Sequence, residues 1–284
     1  MTASTSPLSI SQALQQAALQ GLPRLDAQML LLHLMQQAAH DRSWLITHDT
    51  DLLSAEQQAQ WSLLCALRLQ GTPVAYLTGH KEFYGLELSV DARVLDPRPD
   101  TETLVDWALE LMPSESRCRV VDLGTGSGAI ALALQSQRHL AQITAVDASA
   151  DALAVASGNA QKLQLPVQFA HGSWLQPLAG QEPFDLIVSN PPYIRSDDPH
   201  LAALTHEPLS ALASGSDGLE DIRSITAQAP EYLKAGGWLI FEHGWDQAED
   251  VASLLQSAGF ADVQHRHDLA GIARCTGGRW PGKA

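Results

Sequence analysis

The first 70 or so residues carry apolar side chains at the spacing of helices. The clearest stripe consists of Leu30, Leu31, Leu34 and Met35. Three helices are predicted: the first is capped by Ser9 or Ser11, and the second opens at Asp26. The third runs from about Ser54 to Arg68. No cluster of catalytic residue types occurs here, so this region is predicted to be a small helical bundle that recognises a partner.

Between residues 84 and 94 the apolar period changes to two, which is typical of strands. The side chains that can share one face are Tyr84, Leu86, Leu88 and Val90. A short hairpin joining two domains is predicted. The segment from Asp96 to Glu102 contains two prolines and ends in residues that can cap a helix. It is either a turn over an active site or a plain capped linker.

From residue 117 onward short apolar runs alternate with helical segments, which predicts an α/β domain with a mostly parallel sheet. The predicted strands are Arg119–Leu123, Gln142–Val146, Val167–His171, Phe184–Ser189, Trp238–Glu242, Asp262–Arg266 and Gly271–Thr276. The predicted helices are Ala129–Gln137, Ala150–Leu163, Gly218–Leu233 and Asp246–Ala258. No helix separates the last two strands, so they are expected to pair antiparallel at an edge of the sheet.

The composition of the chain disfavours several kinds of partner. The chain has 284 residues and a formal charge of −15, and such a surface repels the phosphate backbone of nucleic acids. The three cysteines are widely spaced, which favours a reduced compartment and neither disulfides nor a structural zinc site. No apolar run approaches the length of a membrane span. A cytoplasmic protein without a metal, a membrane or a nucleic-acid partner is therefore expected.

A glycine-rich turn follows the first predicted strand of the α/β domain. The sequence Asp122-Leu123-Gly124-Thr125-Gly126-Ser127-Gly128 has the spacing G-x-G-x-G, which lets the backbone approach a ligand closely. Asp147 ends the next strand, where a carboxylate can accept both ribose hydroxyls of a nucleoside. The spacing fits a cofactor without a pyrophosphate, namely S-adenosyl-L-methionine, better than NAD. Trp174 is either a wall of the adenine pocket or packed core.

The most informative segment is Asn190-Pro191-Pro192-Tyr193, which follows the strand Phe184–Ser189. Two consecutive prolines remove two backbone donors and hold the chain extended, so the corner is rigid and its carbonyls stay available as acceptors. An amide stands at one end and an aromatic ring at the other. These groups suit a flat NH₂-bearing substrate, because acceptors take its hydrogens and the ring covers its plane.

Taken together, these motifs resemble class I methyltransferases, and more closely the release factor glutamine methyltransferases of the HemK/PrmC type. The matching segments are 97–102, 122–128, 145–147, 188–194, 207–209 and 242–244. The resemblance implies a Rossmann-like domain with a seven-stranded, mostly parallel sheet and an antiparallel edge strand, preceded by a helical bundle and a hairpin. The expected boundaries are 1–75 for the substrate-recognition bundle, 76–98 for the hairpin linker and 99–284 for the methyltransferase domain.

The resemblance also implies the reaction. The methyl group of S-adenosyl-L-methionine would pass to the glutamine amide in the Gly-Gly-Gln loop of bacterial class I release factors, leaving S-adenosyl-L-homocysteine. The residues expected to bind the cofactor are Gly124, Thr125, Gly126, Ser127, Gly128, Asp147, Trp174 and Asn190. The glutamine is expected to contact Asn190, Pro191, Pro192 and Tyr193, with Asn190, Pro191 and Tyr193 acting in catalysis.

Two features depart from the family pattern. Asp96 stands where an apolar residue is expected, and the loop between Leu201 and Glu207 is short. Two other functional classes stay open: a DNA or RNA amino methyltransferase, whose flipped base presents the same flat NH₂ group, and a cofactor-binding module without turnover. Glu242 and His243 have no obligatory role in direct methyl transfer and are interpreted as structural.

Overall fold

The computed structural model describes residues 7–283 and divides into two compact units, one ending at Gly79 and one beginning at His80. The first unit consists of the helices α1 (Ile10–Leu19), α2 (Arg24–Leu34), α3 (Arg42–Thr47), α4 (Ala55–Leu69) and α5 (Val74–Thr78). The second unit begins with the hairpin, which had been expected to be a linker.

The first unit folds around the stripe that the sequence predicts. Ser9 and Ser54 each form a capping box, in which the serine side chain accepts from the third helical N–H and the glutamine there returns the bond. Leu30 and Leu31 of the stripe are buried together with Ile10 and Trp61, and Leu34 and Met35 pack against them half-buried. The helices α3 and α5 were not predicted, because they contain only six and five residues and lack a repeating apolar pattern.

The hairpin differs in detail from its prediction. Its strands are β1 (His80–Phe83) and β2 (Leu86–Ser89). Tyr84 and Gly85 form the turn, with φ of 51° and 76°, the left-handed conformation that short hairpin loops require at both positions. Tyr84 therefore does not share a strand face with Leu86, and the alternating pattern had hidden the turn.

The remaining elements of the second unit form the predicted α/β domain. They are α6 (Glu102–Leu111), β3 (Arg119–Leu123), α7 (Ala129–Gln137), β4 (Gln142–Asp147), α8 (Ala150–Leu163), β5 (Gln168–His171), β6 (Phe184–Ser189), α9 (Glu220–Gln228), β7 (Leu233–Glu242), α10 (Ala248–Ser257), β8 (Ala261–His267) and β9 (Ala273–Arg279). The hairpin is tied to this domain, because the Asn159 side chain on α8 bonds both the N–H and the carbonyl of Ser89.

The sheet has seven strands in the order β5-β4-β3-β6-β7-β9-β8, which confirms the predicted seven-stranded, mostly parallel sheet. The strands β3, β4, β5, β6 and β7 pair parallel. The strands β3 and β6 and most of β4 are buried, as expected for strands covered on both faces, whereas no residue of the edge strand β5 is fully buried. The strand order reverses direction between β3 and β6, so their carboxyl ends flank a crevice where ligands bind in such folds.

The antiparallel pairing of the last two strands is confirmed, but the antiparallel strand is not at the edge itself. β9 pairs antiparallel with both β7 and β8 and lies one position inside β8. The connection through α10 carries β8 past the neighbouring position, and the short turn then returns β9 into the gap. Gly277 permits this insertion, because a Cβ there would lie 2.5 Å from Ile240 and 2.8 Å from the Trp107 ring.

Candidate active site

Three strand ends bring the predicted residues to one cavity. Gly124 follows β3, Asp147 ends β4 and Asn190 follows β6, and all three line a cavity of about 450 Å³. Trp174 and Pro192 line the same cavity. The proline corner and the glycine turn, which lie 66 residues apart in the chain, therefore share one space.

The glycine turn contributes backbone rather than side chains. Gly124 and Gly126 have φ of 72° and 55°, in the left-handed region that glycine adopts without a steric penalty. A Cβ at Gly124 would lie 3.3 Å from the Trp174 ring, so the absent side chain lets the aromatic ring pack against the turn. This contact joins the two sides of the cavity.

Three of the residues predicted to bind the cofactor do not line the cavity: Thr125, Ser127 and Gly128. The Thr125 hydroxyl donates to Asp122 Oδ2 over 2.6 Å. The Ser127 carbonyl accepts from the side-chain amide of Asn159. Gly128 is the N-cap of α7 with φ of 84°, and a Cβ there would lie 3.1 Å from the Leu132 side chain and 3.2 Å from that of Ala156. These residues shape the turn from behind.

Asp147 is held with its carboxylate at the cavity wall. Its Oδ2 accepts from the N–H of Gly126 over 2.9 Å, and its Oδ1 accepts from the N–H of Ser149 over 2.8 Å. Each oxygen keeps a lone pair for a further donor. The carboxylate is thereby oriented before any ligand arrives and can accept from a vicinal diol.

The carboxylate at the start of the glycine turn is of a different kind. Asp122 is fully buried, and its Oδ2 accepts from Thr125 and from the N–H of Ala131. Its Oδ1 has no hydrogen-bond partner among the described residues. Burial raises the pKa of Asp122 to about 7, although the two hydrogen bonds oppose the shift. The side chain fixes the turn instead of facing the cavity.

A second cavity, of about 270 Å³, adjoins the first at the proline corner. It is lined by Asn190, Pro191 and Tyr193 and by apolar side chains that include Leu204. Asn190 borders both cavities. The smaller cavity has room for one amino-acid side chain, and the amide of Asn190 stands between that space and the larger one.

The Asn190 amide has a defined direction. Its Nδ2 donates to the hydroxyl of Thr101 over 3.3 Å. Its Oδ1 and the carbonyl of Pro191 accept no hydrogen bond from the described residues. Two acceptors of the corner are therefore available to a donor in the cavities.

The rest of the corner is held from the sheet. The Tyr193 hydroxyl donates to Glu242 Oε1 over 3.3 Å, and the Tyr193 carbonyl accepts from the Gln247 side chain over 3.1 Å. Gly218 has φ of 75°, and a Cβ there would collide with the same carbonyl. The close approach of Gly218 and the amide of Gln247 thus support the corner from behind. Local motifs in the sequence do not predict either contact.

Glu242 is almost completely buried, with 1% of its surface exposed. Burial raises its pKa to about 7, while the hydroxyls of Thr101 and Tyr193 and the charge of Arg274 act in the opposite direction. Burial, together with the Glu242 carboxylate, also raises the pKa of Tyr193. The phenol is therefore neutral at physiological pH, and Tyr193 lines the smaller cavity.

The turn at residues 96–102 lies over the smaller cavity through Arg98. Asp96 is buried and forms ion pairs with Lys81 and Arg98. Arg98 also pairs with the buried carboxylate of Glu207. The unexpected Asp96 is therefore matched by two cations, and the Arg98–Glu207 pair links the turn to the loop after β6.

His243 serves the fold rather than a metal site. It is buried, and its Nε2 bonds the Thr276 hydroxyl over 2.7 Å, which also contacts His265. Burial lowers the pKa of His243. Within residues 7–283 no group of three or more His, Cys, Asp or Glu side chains could hold a metal ion. No helix in that range is long and apolar enough to cross a membrane.

Comparison with known proteins agrees with this geometry. Residues 9–79 match the family described as PrmC N-terminal domain, and residues 102–215 match the methyltransferase small domain. A release factor glutamine methyltransferase of Bordetella pertussis is 48% identical over 260 residues, covering 91% of this chain and 95% of the relative. Its counterpart in Xylella fastidiosa strain 9a5c is 48% identical over 273 residues, covering 95% and 98%.

A solved structure supports the fold. A methyltransferase from Pyrococcus furiosus has a TM-score of 0.53 and 16% sequence identity, and the match covers 81% of this chain and 100% of that one. With the family matches, this confirms the predicted class I methyltransferase fold.

Proposed function

This chain belongs to the release factor glutamine methyltransferase family, and we propose that it methylates the glutamine side-chain amide in the Gly-Gly-Gln motif of bacterial class I release factors. The methyl donor is S-adenosyl-L-methionine, which becomes S-adenosyl-L-homocysteine when its methyl group is transferred. The observation that carries the proposal is the position of Asn190, which borders both the larger and the smaller cavity.

The larger cavity fits the cofactor by its volume and by the residues that line it. Its volume of about 450 Å³ suits a nucleoside with an amino-acid chain. Asp147 would accept the ribose hydroxyls, and the side chain of Trp174 would cover the adenine. Gly124 and Gly126 would let the cofactor approach the backbone closely. Thr125, Ser127 and Gly128 would act indirectly, by shaping that turn.

The smaller cavity fits the glutamine side chain. A carboxamide nitrogen is a poor nucleophile because its lone pair is delocalised into the carbonyl. The Asn190 Oδ1 and the Pro191 carbonyl would accept its two hydrogens and aim the nitrogen toward the larger cavity. These acceptors also stabilise the positive charge that develops on that nitrogen. Pro192 and the ring of Tyr193 would hold the amide plane.

The donor supplies an activated methyl group on a sulfonium, and the chain supplies orientation. Well-oriented reactants lower a barrier by roughly 7–11 kcal/mol in favourable cases. The methylated nitrogen is acidic and can lose its proton to water after transfer, so no general base is required. The reaction therefore needs groups that position the amide and none that removes its proton, and the two acceptors of the proline corner are groups of that kind.

The partner is proposed to be a folded release factor rather than a nucleic acid. The formal charge of −15 disfavours a phosphate backbone. The helical unit that ends at Gly79 has its own buried core, and its described residues line neither cavity. We assign it to recognition of the release factor, and the unit from His80 to binding and transfer.

One assay separates the functional classes. Purified protein with radiolabelled S-adenosyl-L-methionine is offered a release factor, duplex DNA and structured RNA, and label is expected only in the release factor at glutamine. Label in DNA or RNA would instead support an amino methyltransferase of nucleic acid. Cofactor binding with no labelled product would support a binding module.

The variant Asn190→Ala tests the site in the same assay. We expect kcat/KM to fall about 10²- to 10³-fold, as when a positioned transition-state hydrogen bond is removed. The melting temperature is measured alongside to confirm folding. Full turnover in this variant would refute the acceptor role of the amide.

A further inference from the structure

We propose that Thr101 and Glu242 are positioning residues that hold the Asn190 amide in one orientation, with its oxygen toward the substrate glutamine. The inference rests on the proposed function and extends it to two residues that line neither cavity. Both are buried, and they are 141 positions apart in the chain.

The Asn190 side chain ends in an oxygen, Oδ1, and an NH₂ group, Nδ2. Oxygen and NH₂ have nearly the same shape, so steric fit does not distinguish them and hydrogen bonds must do so. Oδ1 toward the substrate would accept a glutamine N–H, whereas Nδ2 there would face another donor and repel it. The Nδ2 donates to Thr101 Oγ1 over 3.3 Å. The hydroxyl of Thr101 thus acts as an acceptor toward Asn190.

The proton of the Thr101 hydroxyl needs an acceptor of its own. A hydroxyl that accepts from Nδ2 must direct its own proton to another acceptor. The Glu242 carboxylate lies near enough for the Thr101 hydroxyl to favour its charged form. Its Oε1 accepts from Tyr193, and its Oε2 has no partner among the described residues. The Oε2 atom is therefore the acceptor available for the Thr101 proton.

The directions of these hydrogen bonds decide which end of the Asn190 amide faces the substrate. In the arrangement we propose, an ionised Glu242 accepts a hydrogen bond from the Thr101 hydroxyl on its unpartnered Oε2, beside the one that its Oε1 accepts from Tyr193. The Thr101 oxygen is then left to accept from Asn190, so the amide cannot flip without placing two acceptors together. A protonated Glu242 can donate to Thr101 instead, which releases the Thr101 proton toward Asn190. The amide then turns its NH₂ group to the substrate.

Several titratable or charged groups surround Glu242, and their charges near neutral pH decide which of them can control the orientation of Asn190. Tyr193 is neutral at physiological pH, and the Arg274 guanidinium and the Asp100 carboxylate act on Glu242 in opposite directions. The thiol of Cys275 is buried, and burial raises its pKa. Glu242 itself has a pKa raised to about 7 by its burial. A change in its charge is thus expected near neutral pH.

The first experiment compares Thr101→Val with Thr101→Ser. Valine has the shape of threonine without the hydroxyl, whereas serine keeps it. We expect Thr101→Val to lower kcat for release factor methylation about 10- to 100-fold, the range found when a hydrogen-bond partner that orients a metal ligand is removed. Thr101→Ser keeps the hydroxyl and should retain a kcat close to that of the wild type. Cofactor affinity by calorimetry should be unchanged in both.

The matched control is Thr226→Val. Thr226 is buried on α9, lines neither cavity, and its hydroxyl has no partner among the described residues. We expect this variant to retain wild-type kcat, which separates loss of a buried hydroxyl from loss of this one. Wild-type kcat in Thr101→Val would overturn the proposal.

The second experiment uses the wild type and Glu242→Gln, and its readout does not depend on turnover. The side-chain NH₂ resonance of Asn190 is identified by its loss in Asn190→Ala. In the wild type it should shift as the pH passes through about 7, and in Glu242→Gln it should not. A resonance unaffected by pH in the wild type would overturn the proposal even if release factor is not a substrate.

The activity profile completes the test. We expect wild-type kcat to fall as the pH drops through about 7, since the ionised form of Glu242 is the one that orients the amide. In Glu242→Gln kcat should be about 10- to 100-fold lower at all pH values, without that decline. A purely structural carboxylate would change the melting temperature and leave the profile in place. Wild-type protein that labels no release factor would instead refute the proposed function.

Discussion

At the scale of single residues, two aspartates at the same edge of the sheet have different roles: one faces the larger cavity and the other is buried. Asp147 lines the larger cavity and is held by two backbone N–H groups. Asp122 is buried behind the glycine turn and lines neither cavity. They are both at carboxyl ends of parallel strands, so the difference arises from the direction of each side chain. Substitution of each is expected to affect a different measurement.

Asp147→Asn is expected to weaken cofactor binding. An amide keeps the shape of the carboxylate but loses its charge and one acceptor, so a ribose diol forms a weaker pair of bonds. Hydrogen bonds to a charged group contribute about 1.5–3 kcal/mol, which corresponds to a dissociation constant roughly 10- to 100-fold higher. Calorimetry with S-adenosyl-L-homocysteine measures it. Asp151→Asn, an exposed aspartate in the first turn of α8, is the control and should bind normally.

An unaltered dissociation constant in Asp147→Asn would remove the ribose assignment. A loss of affinity in Asp151→Asn of the same size would indicate a general effect of surface charge. The melting temperature of each variant is needed beside the calorimetry, because the backbone bonds of Asp147 also order the turn.

Asp122 is expected to affect stability as the pH changes. Burial raises its pKa from 3.8 to about 7, so between these values the folded state keeps a proton that the unfolded state has released. This contribution is fully present below about 4 and is lost as the pH rises through about 7. The free energy of unfolding should therefore decline with rising pH, by at most about 1.4 kcal/mol per pH unit from this group.

The variant Asp122→Asn isolates that contribution. Urea unfolding at pH 5, 6, 7 and 8 should show a shallower decline in the variant than in the wild type. Glu242 adds a decline of the same sign in both proteins, so the difference between the two curves belongs to Asp122. Parallel curves would show that the carboxyl titrates alike in the folded and unfolded states.

At the scale of elements, local patterns predicted the centre of the sheet well and its margins less well. The strands Arg119–Leu123 and Phe184–Ser189 and the helices Ala129–Gln137 and Ala150–Leu163 have the predicted bounds. Their apolar runs are bounded by glycine, proline or capping residues, and those signals are local. The strand predicted at Trp238 begins at Leu233 instead, within the segment predicted as the end of a helix.

The insertion of β9 makes Gly277 a test of this architecture. A Cβ there would lie 2.5 Å from Ile240 and 2.7 Å from the Leu239 carbonyl, and neither neighbour belongs to a flexible side-chain end. We expect Gly277→Ala to lower the free energy of unfolding by about 1–3 kcal/mol, as overpacking does in other cores. Denaturant unfolding measures the loss.

Gly158 supplies the matched control for this prediction. It lies within α8, and a Cβ there would meet nothing within 4 Å. Gly158→Ala should therefore stabilise the protein by roughly 0.5–1 kcal/mol, because alanine favours the helix. Unchanged stability in Gly277→Ala would mean that the crowding at Gly277 is relieved by movement of β9, and equal losses in both variants would mean that the loss does not come from this crowding.

In the candidate site, too, the residues that follow a local sequence pattern were predicted, whereas the contacts between residues far apart in the chain were not. Asn190 and Asp147 were predicted because each stands at the end of a recognisable strand. The contact of Asn190 with Thr101 spans 89 positions and that of Tyr193 with Glu242 spans 49. Single-sequence patterns carry no signal for such pairs, because they depend on how the sheet brings separate loops together. Glu242 was therefore interpreted as structural, although it contacts the proline corner.

At the scale of the whole molecule, the two compact units have separate buried cores. Both predicted motifs, the glycine turn and the proline corner, belong to the unit that begins at His80, and so do all residues that line the two cavities. Binding of the cofactor and recognition of a large partner are therefore separable in principle. Removal of the first unit tests that separation.

A protein lacking residues 1–79 is expected to bind S-adenosyl-L-homocysteine with the affinity of the full chain, since the residues that line the larger cavity remain. It should also label a short peptide containing Gly-Gly-Gln at the rate of the full chain. Methylation of a folded release factor should fall by about 10²-fold in kcat/KM, because a second binding contact that raises the local substrate concentration is lost. Circular dichroism and thermal unfolding establish first that the truncated chain is folded. Undiminished activity on the folded release factor would assign recognition to the unit from His80, whereas equal losses on peptide and factor would show that the first unit supports the catalytic unit rather than selecting its partner.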